Sequence, residues 1–210
     1  MLRGEGSVFC SGADFAAVSG PAGVGFLPAF ENMLESLGRF ELPTVAAIHG
    51  AALGGGFQLA CVCDFRVAST DARLGIPSSR LGILVNFENV RRLMLLAGTA
   101  RAKEVLMTAR TYSGAEAAAA GLVTQVVPAS DLVSEADAFA ADMARRAPLS
   151  VQGTKRAIQV ISDHLGGSRT AAPEAVAEID RLVAEAYNSR DLQEGIAALT
   201  EKRDPNFSGS

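Results

Sequence analysis

The residues with the most chemical potential lie in one stretch, Leu42 to Cys63. Leu42-Pro43-Thr44-Val45-Ala46-Ala47-Ile48 is a run of β-branched and small apolar residues, and it reads as a short buried strand. His49-Gly50 signals a turn, and Gly54-Gly55-Gly56 follows. Phe57-Gln58-Leu59-Ala60-Cys61-Val62-Cys63 is apolar enough for a buried helix. A strand, a glycine turn and a helix aim bare backbone N–H groups outward. Glycine lets a ligand approach the main chain, and the first N–H groups of a helix lack internal partners and carry partial positive charge. The chemistry this suggests is stabilisation of a partly negative oxygen. The alternative is that the glycines only permit tight helix–strand packing.

A second small-residue turn, Cys10-Ser11-Gly12-Ala13-Asp14, lies upstream. Asp14 can brace it through hydrogen bonds to nearby N–H groups, or it is a plain surface residue. Cys61 and Cys63 form a C-x-C with no second pair to complete a zinc site, so they read as core residues. No metal is expected. His49, at a strand end, reads as a structural hydrogen-bonding residue, and Arg91-Arg92 as ion-pairing residues rather than a phosphate site.

These residues need elements to position them. Leu2 and Val8-Phe9 flank a turn, and Gly20 to Gly25 reads as a loop. Apolar residues at 26, 30, 33, 34 and 37 have helical spacing, ended by Gly38. Strands are expected at 64–68 and 72–77, and a partly apolar loop at 78–87. Helices follow at 88–97 and 99–107, split at Gly98, with Thr99 as an N-cap. Ser113 caps a helix over 114–120 that Gly121 stops, and a strand covers 122–128. Helices are expected at 130–146, 149–164, 173–188 and 191–203, with a linker at 166–170 and a frayed tail at 207–210. The chain thus divides into a mixed α/β part, 1–128, and a helical part, 129–210.

Composition narrows the function classes. The 210 residues carry a net charge of −4, which speaks against a nucleic-acid footprint. No apolar run reaches the length of a membrane span, and the first residues lack the apolar core of a signal peptide. Three cysteines, an odd number, point to a reducing cytoplasmic setting rather than a disulfide framework. No G-x-S-x-G segment is present, which disfavours a serine hydrolase.

Phe9-Cys10-Ser11-Gly12-Ala13-Asp14, Leu53-Gly54-Gly55-Gly56 and Cys63-Asp64-Phe65-Arg66-Val67-Ala68, in that order, resemble the enoyl-CoA hydratase/isomerase (crotonase) superfamily. So do Leu106 to Val127 and the ending Glu201-Lys202-Arg203-Asp204-Pro205-Asn206-Phe207. The resemblance implies an α/β spiral of ββα units, a C-terminal helical trimerisation region, and a homotrimer or hexamer. It implies an acyl-CoA thioester as ligand, with coenzyme A entering as part of the substrate and no separate cofactor. The N–H groups of Ala13 and Gly55 would hold the thioester oxygen. Ser11, Asp14 and Gly54 would line the substrate near them. Asn86, Phe87, Glu88 and Lys202 would contribute from later in the chain, although Glu88 reads equally as an exposed residue in the first turn of the helix 88–97, where negative charge suits the dipole.

The sequence departs from the hydratase pattern at two catalytic positions. Family hydratases carry glutamates where this chain has Gln58 and Ser78. An amide can hold a water but cannot take its proton, and a hydroxyl is a weak acid or base near neutral pH. The expectation is an acyl-CoA-binding protein that hydrates crotonyl-CoA poorly or not at all: either an enoyl-CoA hydratase/isomerase-like enzyme of lipid and acyl-CoA metabolism acting through Ala13 and Gly55, or a non-catalytic acyl-CoA-binding scaffold. Relatives also begin with a strand pair and helix ahead of the segment matching Met1. Either the chain is naturally short or its start is placed late; the lack of those parts would leave a strand edge uncovered and remove some contacts to the CoA adenine.

Overall fold

In the computed structural model the described residues are 1–14, 25–81, 83–164, 174, 177–178, 181–182, 184–185 and 188–210, with backbone only at 164, 199 and 200. Two compact units are formed, one of Met1–Phe40 with Thr44–Asp137 and one of Glu41–Pro43 with Ala138–Ser210.

The first unit is wound from strands that alternate between two sheets. Strands β1 (Leu2–Arg3), β2 (Val45–Ile48), β4 (Phe65–Ser69) and β7 (Gln125–Val127) form one all-parallel sheet in the order β1-β2-β4-β7. Strands β3 (Ala51–Leu53), β5 (Arg73–Gly75) and β6 (Thr111–Ser113) form the other, with Cys10 bridging to Ala52 at its β3 edge. From β2 and from β4 the chain passes to the second sheet and then into a helix; β6 departs from this order, following a helix directly into the second sheet and running antiparallel to β5. The helices between these strands are α1 (Phe26–Gly38), α2 (Gly55–Val62), α3 (Phe87–Thr108) and α4 (Gly114–Ala119). This is the spiral of ββα units that the resemblance implies. β1 is the edge strand of its sheet and pairs with β2 through Leu2↔Ala46.

Burial explains why the sequence forms these strands. All four residues of β2 are buried, as the middle of a parallel sheet covered on both faces requires. Phe57, Leu74, Leu93, Val105, Tyr112 and Leu122 pack with Ala46 and Ile48 of β2 into one core. Cys63 is in that core and Cys10 and Cys61 pack against it, with burial pushing the Cys61 thiol up to about 12. A thiol so far from ionisation is a small apolar filler, as the sequence suggested.

Two polar groups tie the sheet ends to the helices. Asp64 Oδ2 accepts from the Thr44 N–H at 2.7 Å and the Thr44 hydroxyl at 2.9 Å, clasping the starts of β2 and β4. Arg66, only 5% exposed, donates to the carbonyls of Ala60 at 3.2 Å, Cys63 at 2.7 Å and Leu122 at 2.9 Å. Ala60 and Cys63 close the C-terminus of α2, where a cation suits the helix dipole. One guanidinium therefore fastens α2 to β4 and to the turn before β7.

The structure corrects several boundaries. The expected strand at 122–128 is confined to Gln125–Val127; Leu122 is instead a helix-end residue whose N–H bonds to Ala117 O at 2.8 Å. β6, whose three residues are Thr-Tyr-Ser, falls in a stretch assigned no element from the sequence. Of these, Tyr112 is 2% exposed and opposite Leu74, with the Arg110 guanidinium 4.6 Å over its ring. The loop at 78–87 begins as a 3₁₀ turn, Pro77–Leu81. By contrast, the break expected at Gly98 is present: φ is 76° and ψ 164° there, outside the helical range, so α3 is two helical segments meeting at that residue. Ser113 caps α4 and forms a full capping box with Glu116.

The second unit holds α6 (Pro148–His164) and α7 (Arg190–Glu201), while α5 (Leu132–Ala144) crosses between the two units. The loop expected at 20–24 and the linker expected at 166–170 lie outside the described residues, as does most of the helix expected at 173–188. The tail is not frayed. Asp191, 2% exposed, accepts from the N–H groups of Ser208 at 2.7 Å and Gly209 at 2.9 Å. Glu194 holds Arg203 and accepts from the Asn206 N–H at 2.8 Å. These bonds to a helix's first turns dock residues 206–209, which polar composition had marked as loose.

Two outcomes follow from these contacts. Arg66→Met should lower stability by about 3 kcal/mol in urea unfolding, because three carbonyls lose a charged donor; an unchanged midpoint would show that the guanidinium contributes nothing net. For the tail, Arg203 and then the Asn206 N–H hold the Glu194 carboxyl at about 2, below its ordinary 4.5. Its contribution is complete above 4.5 and is lost as pH falls through about 2. Amide exchange at Asn206 should stay slow from neutral pH down to that lower range, and Glu194→Gln should speed it throughout.

Candidate functional site

The bridge between Cys10 and β3 lays two turns side by side. Cys10 N–H donates to Ala51 O at 3.0 Å, and Leu53 N–H donates to Cys10 O at 3.0 Å. Beyond the bridge the upstream chain enters Gly12-Ala13, while β3 enters the glycine triplet. The backbone needs glycine at two of these positions, since φ is +111° at Gly12 and +55° at Gly54. Gly54 N–H is spent on Gly75 O at 2.9 Å, which fixes the turn against the end of β5.

The other two glycines serve different needs. A Cβ on Gly56 would collide with the backbone carbonyl of Cys10, so this glycine serves packing. A Cβ on Gly55 would stand 3.9 Å from Ala13 N and 3.2 Å from the Phe30 ring, facing the opposite turn. Likewise a Cβ on Gly12 would lie 3.6 Å from Gly55 N. The two readings of the glycines thus apply to different residues: Gly56 is packing, and Gly55 faces Ala13.

Phe57 and Gln58 N–H both bond back to Gly54 O at 3.1 Å. Gly55 N–H opens α2 and has no acceptor within the helix. Among the described residues Ala13 N–H makes no backbone hydrogen bond. Two N–H groups from adjacent turns, one at a helix N-terminus, can stabilise an oxyanion.

The remaining candidates fall into four groups. Gln58 is half-buried one turn into α2, and Ser78 is half-buried in the 3₁₀ turn after β5, its carbonyl accepting from Ile83 N–H at 3.0 Å. Ser11 and Asp14 are exposed beside Ala13. Asn86, Phe87 and Glu88 open α3: the Asn86 side chain caps it by accepting from Asn89 N–H at 3.0 Å, Phe87 is 69% exposed, and Glu88 pairs with Arg91 at 2.9 Å. Lys202 is exposed in the second unit, at a φ of 54° just after α7. His49 bonds through Nε2 to Gly6 O at 2.9 Å, the structural role expected of it. Among the described residues no group of three or more His, Cys, Asp or Glu could hold a metal ion.

Sequence reasoning missed Phe30, Glu31 and Asn89, while Arg92 takes the ion-pairing role expected of it, with Glu31. Phe30 was visible only as one member of an apolar helical stripe. Glu31 Oε1 accepts from Asn89 Nδ2 at 2.5 Å, and Glu31 Oε2 from Arg92 Nη1 at 3.3 Å. These pairs span about sixty positions, which no local pattern reports.

Comparison with known proteins gives the same picture. The family model described as enoyl-CoA hydratase/isomerase matches residues 1–210. A probable enoyl-CoA hydratase of Bacillus subtilis (strain 168) is 34% identical over 215 residues, covering 100% of this chain and 81% of that protein. An enoyl-CoA isomerase/hydratase of Mycosarcoma maydis is 32% identical over 213 residues, covering 100% of this chain and 76% of its own. The crystal structure of an enoyl-CoA hydratase from Bacillus anthracis superposes with a TM-score of 0.87 at 32% identity, covering 99% of this chain and 80% of that one. The winding of the two sheets, the paired turns and these likenesses over the full length agree: the chain belongs to the enoyl-CoA hydratase/isomerase family of the crotonase superfamily.

Proposed function

We propose that this protein binds an acyl-CoA thioester and polarises its carbonyl through the N–H groups of Ala13 and Gly55. The observation that carries this is the approach of the Gly55 face to Ala13 N, 3.9 Å from where a Cβ would stand. Negative charge on a thioester oxygen grows as its acyl group is deprotonated or attacked. Fixed donors aimed at that oxygen lower the barrier, each by about 2.7–4 kcal/mol in comparable sites. Coenzyme A enters as part of the substrate. The three free cysteines suit a reducing, cytoplasmic setting, and assembly as a homotrimer or a dimer of trimers is proposed from family resemblance.

Gln58 and Ser78 favour a second reading within the same family: binding with little hydration. Hydration needs a group to take the proton of the attacking water and a group to return one. Each such group contributes about 10²–10⁴-fold. Neither an amide nor a serine hydroxyl does this near neutral pH without a neighbouring base. The oxyanion cradle does not depend on either side chain, so thioester binding and carbonyl polarisation persist without them.

Calorimetry should detect crotonyl-CoA binding while the enoyl thioester absorbance decays no faster than in buffer. Turnover comparable to a glutamate-bearing hydratase would contradict the reading of Gln58 and Ser78. The double change Gln58→Glu with Ser78→Glu should raise hydration by at least about 10²-fold over the parent protein. The glycines separate cleanly. Gly55→Val, whose side chain grows toward Ala13 N, should weaken acyl-CoA binding by about tenfold or more. Gly56→Ala should instead destabilise folding by about 1–3 kcal/mol through its clash with Cys10 O.

A further inference from the structure

Helix α1 places an aromatic wall at the donor pair. Phe30 Cζ lies 3.2 Å and Cε2 3.5 Å from the Cβ position of Gly55, the same point that is 3.9 Å from Ala13 N. The ring is half-buried and stacks on Phe26, with centroids 5.7 Å apart and 9° between planes. The next residue bolts α1 to α3. Glu31 accepts from Asn89 Nδ2 at 2.5 Å and Arg92 Nη1 at 3.3 Å, and Arg92 Nη1 also donates to Asn89 Oδ1 at 2.8 Å. Asn89 is 5% exposed, and its own N–H is fixed by Asn86 Oδ1 at 3.0 Å. A polar network of three side chains, closed on itself and partly buried, holds one geometry better than separate pairs.

We propose that Phe30 is a specificity-determining residue, and that Glu31, Asn89 and Arg92 are positioning residues that hold its ring beside Gly55. The inference rests on the acyl-CoA reading. An acyl carbonyl oxygen held by Ala13 and Gly55 brings the carbons next to the carbonyl against this ring. A slim, unbranched α,β-unsaturated acyl group can lie flat on an aromatic face. A methyl branch on the carbon beside the carbonyl would have to displace it. The substrate class is therefore acyl-CoA with an unbranched α-carbon. One methylene in an apolar pocket typically changes selection by about 10–200-fold.

The test compares two probes that differ by one methyl group, crotonyl-CoA and 2-methylcrotonyl-CoA, by calorimetry on the full chain. The wild type should bind crotonyl-CoA about tenfold more tightly or better. Phe30→Ala, shown folded by circular dichroism, should bring the ratio close to one. Glu31→Ala should move the ratio the same way, and Glu31→Gln, which can still accept from Asn89, should restore it. A ratio near one in the wild type, or a ratio unchanged in folded Phe30→Ala, overturns the role of the ring. A ratio that responds to Phe30→Ala but not to Glu31→Ala overturns the positioning role of the network. Binding of neither probe by the wild type overturns the acyl-CoA reading itself, and this inference with it.

Discussion

The short parallel bridge between Cys10 and β3 is the constraint on which the rest depends. It begins with Phe9 N–H on His49 O at 2.9 Å and ends with Leu53 N–H on Cys10 O at 3.0 Å. Those bonds bring together two turns that are about forty residues apart in the chain. Gly56 lets the carbonyl of Cys10 press against the first turn of α2, where any side chain would collide. The spacing of the two turns is thus set by backbone contact rather than by movable side chains. A site built this way keeps its geometry when the surrounding side chains change, which fits its persistence beside Gln58 and Ser78.

The surrounding architecture serves that bridge. β2 and β4 run parallel from the Thr44–Asp64 clasp, so β3 and β5 leave the sheet in step and reach the glycine turn together. Arg66 holds the far end of α2, while Gly55 and Gly56 open its near end, where helix N–H groups lack acceptors within the helix. A buried cation at the C-terminus and open donors at the N-terminus both follow the helix dipole. Stability and site geometry therefore meet in one eight-residue helix.

Much of this was legible in the sequence because it is local. The β-branched run before His49, the glycine triplet and the apolar segment after it specify strand, turn and helix by composition and period. Ser113 with Glu116, and the break at Gly98, are equally local signals. The exceptions share a physical origin. β6 is three residues long, too short for a period to show, and its pairing with β5 is a contact between distant parts of the chain. Asn86 looked like a ligand position, yet an Asn one residue before a helix is also an N-cap, and it caps α3 here. The tail looked loose because its order comes from Asp191 and Glu194, more than ten residues away. Glu31, Asn89 and Arg92 meet only once α1 and α3 pack, so the wall beside Gly55 has no sequence signature.

The central claim is that two main-chain N–H groups share one thioester oxygen. A crystal structure with an acyl-CoA bound tests it most directly. The account predicts that oxygen within about 2.7–3.1 Å of both Ala13 N and Gly55 N. A bound thioester whose oxygen touches neither amide would contradict it.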